Sequence, residues 1–76
     1  MTASDLRDLF LTHLTKRFGG NRRRWRIVIG DVKLYSRDTH PHCNWAVNPS
    51  GSAGENGAVE QVADELRARH AIVTRG

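Results

Sequence analysis

Residues 24–36, Arg-Trp-Arg-Ile-Val-Ile-Gly-Asp-Val-Lys-Leu-Tyr-Ser, set two runs rich in β-branched and aromatic residues on either side of Gly30-Asp31. Glycine at the first central position of a two-residue loop suits a type II′ turn, so the stretch predicts a β-hairpin. That turn pairs Ile29 with Val32, Ile27 with Leu34 and Trp25 with Ser36. Five of these six side chains are apolar and define a core face. The other face carries Arg24, Arg26, Val28, Lys33 and Tyr35, with Arg26 opposite Tyr35 for a cation–π pair.

The flanking segments read as cover for this hairpin. Leu6, Leu9, Phe10, His13, Leu14 and Phe18 recur mostly at three- and four-residue steps, which predicts an amphipathic helix. Thr2 or Ser4 can cap it, and Gly19-Gly20 stops it. Residues 43–47, Cys-Asn-Trp-Ala-Val, read as a third strand with Cys43, Trp45 and Val47 facing the core. Ser52 and Glu55 fit the capping box of a second helix, with Asn56 as an alternative cap. Its apolar stripe is Val59, Val62, Ala63 and Leu66. Residues 71–74 suit a short final strand beside the third. The expected fold is a single α+β domain over residues 1–76, a two-layer α-β-β-β-α arrangement with two helices on one face of a small antiparallel sheet.

Length and composition narrow the class. A 76-residue chain builds one small core. Its single cysteine, Cys43, permits no intrachain disulfide and points to a reducing compartment. No apolar run reaches the length of a membrane span or a signal segment, so a soluble, cytoplasmic protein without membrane attachment is expected. The net charge is +4 and the pI near 10.2. Lys16, Arg17, Arg22, Arg23, Arg24 and Arg26 place six of the twelve basic residues within eleven positions, with no acid among them. Such a stripe attracts phosphate by Coulomb attraction and counterion release. With Lys33 and Tyr35 it makes the candidate nucleic-acid surface.

The element order resembles that of the double-stranded RNA-binding domain, a likeness of order and length alone. That family opens its second helix with a lysine-rich motif and has a longer loop between its first two strands. Here residues 54–60, Gly-Glu-Asn-Gly-Ala-Val-Glu, hold no lysine and two glutamates, and the loop is Gly30-Asp31. Both departures count against RNA-duplex binding, which needs contacts across successive grooves.

Asp38, His40, His42 and Cys43 are the densest group of potential metal ligands. A structural zinc site takes four ligands, usually from two separated pairs, and no second pair is present. His42 and Cys43, adjacent in an extended segment, point apart and suit nucleophilic catalysis poorly. No phosphate-binding loop or nucleophile elbow occurs, and so small a domain has little room for a substrate cavity. Neither cofactor nor enzymatic activity is expected. The expected function is that of a small binding or regulatory module that meets a protein partner, or a second copy, through a sheet edge. The alternative is binding to a nucleic-acid backbone through residues 16–26.

Overall fold

In the computed structural model, which describes residues 1–75, the element order is α1 (Ala3–Phe18), α2 (Arg22–Ile29), β1 (Lys33–Leu34), β2 (Trp45–Ala46) and α3 (Ala53–Arg69). The chain is a small α+β domain. Its order, α-α-β-β-α, differs from the expected α-β-β-β-α because a helix occupies the place of the first strand.

Helix α1 begins at a capping box. The Asp5 amide donates to the Thr2 hydroxyl oxygen, and the Thr2 amide donates to the Asp5 carboxylate. Leu6, Phe10, Leu11 and Leu14 recur at near-helical spacing and are buried together. Phe18, expected in this stripe, lies in the final turn and is exposed. Helix α3 starts at the same kind of box, formed by Ser52 and Glu55, and Ser52 rather than Asn56 is the cap. Its predicted stripe of Val59, Val62, Ala63 and Leu66 is buried, joined by Ala58.

The first strand and the Gly30-Asp31 hairpin loop are corrected by the structure. Asn21 caps α2 by accepting from the Arg23 amide at 2.7 Å, and Gly30 closes it at φ +64°, a conformation that disfavours any side chain. Between these punctuation marks Trp25, Val28 and Ile29 are buried at helical spacing. Val28, expected on the wet face, is fully buried, whereas Ile27, expected in the core, is 60% exposed. The Arg26–Tyr35 pairing is therefore absent. The physical reason is that Trp25 and Ile29 satisfy both the two-residue and the helical period, so the apolar pattern alone does not separate them. Arginine's good helix propensity and the two flanking caps favour the helix.

The sheet is reduced to two rungs, Lys33 paired with Ala46 and Leu34 with Trp45, antiparallel. Trp45 drives its ring into the core and meets Phe10 edge-on at 5.6 Å, and its indole N–H donates to the His70 carbonyl at 2.7 Å. Cys43 and Val47 pack on the same core from a half-buried position, as their alternation with Trp45 predicts. The expected final strand is a single parallel bridge between Thr74 and Thr2. Asn44 substitutes for a strand neighbour there. Its amide nitrogen donates to the Val73 carbonyl at 2.7 Å, and its side-chain oxygen accepts from the Val73 amide at 2.9 Å. No helix among the described residues is long and apolar enough to cross a membrane.

Candidate nucleic-acid interface

Helix α1 passes into α2 through only Gly19, Gly20 and Asn21. Both glycines have positive φ, and the Trp25 indole donates to the Gly19 carbonyl at 2.8 Å. The turn is thus fixed from inside by the same tryptophan that anchors α2 to the core. The ridge carries Lys16 and Arg17 in the last turn of α1 and Arg22, Arg23, Arg24 and Arg26 on α2, all exposed.

Three arginines crowd the start of α2, and no acid lies in its first turn. Positive charge is unfavourable at this end, where the helix dipole is positive. Carboxylates from other elements relieve part of the conflict. Arg24 makes a two-pronged pair with Glu55 of α3, both nitrogen–oxygen distances being 2.9 Å. This contact, reinforced by the Ser52 amide, holds the Glu55 carboxyl well below its ordinary range, at about 2, and raises the Arg24 guanidinium in turn. Arg22 lies 3.8 Å from Asp8 of α1, and Arg17 pairs with Glu65 of α3. These three arginines are therefore engaged as ties between helices.

Lys16, Arg23 and Arg26 have no ion-pair partner among the described residues. Arg23, Arg26 and Ile27 stand three and four positions apart on the same solvent face of α2. The sequence assigned Ile27 to the core and so missed it as a surface residue. The signal that could have found it is the pair of caps, Asn21 and Gly30, which frame an eight-residue helix.

The other candidates lie outside the α1–α2 unit. Lys33 is exposed on β1. Tyr35, just beyond it, is stacked on His40 with ring centroids 4.3 Å apart. The Nδ1 of His40 also lies 2.9 Å from the Thr39 hydroxyl, and the Cys43 thiol donates to the Trp45 carbonyl at 3.4 Å. His42 is exposed in the loop before β2. No group of three or more His, Cys, Asp or Glu side chains among the described residues is placed to hold a metal.

Two open hollows of about 300 Å³ mark the surface. One is lined by Ala3, Ser4, Arg7, Asp31 and Val32, the other by residues around Tyr35, Asn44 and Val73. In the first, Arg7 approaches Asp31 at 3.9 Å, and its Nε is buried without a partner. Comparison with protein-family models, curated proteins and solved structures finds no match to this chain.

Proposed function

We propose that this domain is a non-enzymatic binding module that takes the phosphate backbone of a nucleic acid on the ridge formed by the end of α1 and the solvent face of α2. The observation that carries the reading is the uneven pairing of charge on this ridge. Acids from α1 and α3 are committed to Arg22, Arg24 and Arg17, while among the described residues Lys16, Arg23 and Arg26 have no acidic partner, with Arg23 in the first turn of α2 and Lys16 and Arg26 in the last turns of α1 and α2. A phosphate arriving at Arg23 relieves the conflict between that charge and the positive end of α2, and Lys16 and Arg26 add to the attraction. The sheet edge, the other docking surface expected, offers only two residues per strand for backbone pairing.

Fluorescence anisotropy with short DNA duplexes, RNA duplexes and single strands over a salt series tests the reading. Contacts to about three phosphates give a log–log salt slope of roughly −2 to −3, the exact value depending on the strand form. Lys16→Ala and Arg23→Ala each lower the steepness by about one unit and weaken binding to all sequences alike. Absence of binding at low salt, or a flat salt dependence, rules the reading out and returns attention to protein partners.

A further inference from the structure

Resting on the nucleic-acid reading, we infer that the ligand is B-form DNA and that α2 enters its major groove, with Arg26 placed against a guanine edge and Ile27 against a thymine methyl group. The three-residue turn of Gly19, Gly20 and Asn21 between α1 and α2 matches in length and glycine content the connection of a helix–turn–helix pair, whose second helix is the one held in a groove. Eight residues make a helix of about 12 Å, comparable to the width of the major groove. Trp25, Val28 and Ile29 fix one face of α2 to the core, so the opposite face is held out rigidly. Ile27 lies on that face, one turn after Arg23 and next to Arg26 in the chain. A large aliphatic side chain 60% exposed there gains nothing from phosphate alone, but a thymine methyl gives it an apolar partner. Arg26 stands beside it with its planar fork free of any ion pair, the geometry needed for the O6 and N7 acceptors of guanine. Arg23, one turn nearer the helix start, and Lys16 at the end of α1 are left to meet the phosphates on the groove wall.

The same structure disfavours other nucleic acids. Single-strand binding uses a row of open aromatic faces. Here Trp25 is buried, Tyr35 is already stacked on His40, and on the basic ridge Phe18 alone is an exposed aromatic, which makes no row. The major groove of an RNA duplex is too deep and narrow for side chains to read, and its minor groove is met by basic helix ends. The start of α3, which would have to serve, carries the ionised Glu55.

The test has two stages. Wild-type protein and Arg26→Ala are first used to select sites from a randomised DNA duplex pool. The wild type should enrich a short guanine- and thymine-containing site, and the alanine variant, which has no donor to offer guanine, should not enrich the guanine. The enriched duplex is then remade with 7-deazaguanine, which lacks the N7 acceptor in the major groove. Wild-type affinity should fall about tenfold at the contacted base, and Arg26→Ala should bind both duplexes equally. Arg26 is exposed, and a circular dichroism spectrum confirms that the variant is folded. Equal binding of guanine and 7-deazaguanine duplexes by the wild type overturns the groove assignment while leaving backbone binding in place. Tighter binding to an RNA duplex or a single strand also overturns it. No binding to any of them at low salt overturns both proposals.

Discussion

Val28→Ala and Ile27→Ala form a pair whose effects separate a helix from a strand at the centre of this chain. On α2 the Val28 side chain is fully buried, and it touches the edge of the α3 cap. An ideal Cβ at Gly51 would fall 2.9 Å from one of its methyls. Truncation to alanine removes two methyl groups, at about 0.8 kcal/mol each for the transfer to water. The cavity left behind brings the loss to about 2–3 kcal/mol. For a domain of this size that lowers the melting temperature by roughly 10–20 °C. A domain of this length is stable by about 4–11 kcal/mol, so the variant remains folded for measurement. Ile27 is 60% exposed, and alanine is the better helix former. Ile27→Ala should therefore lie within about 0.5 kcal/mol of the wild type. Urea unfolding followed by far-ultraviolet circular dichroism and tryptophan fluorescence gives both values. A strand over the same residues reverses the two effects. A costly Ile27→Ala with a silent Val28→Ala would refute the helical arrangement, and with it the exposed face of α2.

Other outcomes follow from particular contacts. Asn21→Ala removes the α2 cap and should cost about 1 kcal/mol in urea unfolding, whereas Asn21→Asp should retain most of the stability. Asn44→Ala removes two hydrogen bonds and strands the buried backbone groups of Val73, a loss of about 2–4 kcal/mol, and amide exchange at Val73 and Thr74 should accelerate more than exchange in α3. The folded-state depression of the Glu55 carboxyl from its ordinary 4.5 to about 2 means that the native state binds fewer protons than the unfolded chain in this window. Its contribution is complete above about pH 4.5 and is lost as pH falls towards 2, so Glu55→Gln should give a flatter acid limb in a stability–pH series.

Much of the core was legible in the sequence, though one element was assigned the wrong period. Helix α3 and most of α1 follow directly from their apolar spacing and from the Thr2 and Ser52 caps, because helical amphipathicity over sixteen or more residues has no competing reading. Trp45 was placed in the core by alternation alone. Residues 22–29 were not legible from the apolar pattern, since eight residues span too few periods to decide between the two. Asn21 and Gly30 held the missing information, as an N-cap and a left-handed C-cap, but Gly30-Asp31 equally resembles a hairpin loop. The short sheet was overestimated for a related reason. Asn44 completes the neighbourhood of Val73 through its side chain, a substitution for strand pairing that no alternation pattern records. For the candidate interface, the basic cluster was visible as a stripe. Its division into arginines that tie helices together and cations that stay free depends on Asp8, Glu55 and Glu65, which are distant in sequence.

The most direct measurement is a titration of isotope-labelled protein with a short DNA duplex, following amide and arginine side-chain resonances at low and physiological salt. Shifts concentrated at Lys16, Asn21, Arg23, Arg26 and Ile27, weakening as salt rises, are the expected result, with α3 and the 36–43 loop little changed. Shifts confined to the β1–β2 edge or the Tyr35–His40 stack, or none at low salt, would contradict the assignment of the α1–α2 ridge as the binding surface.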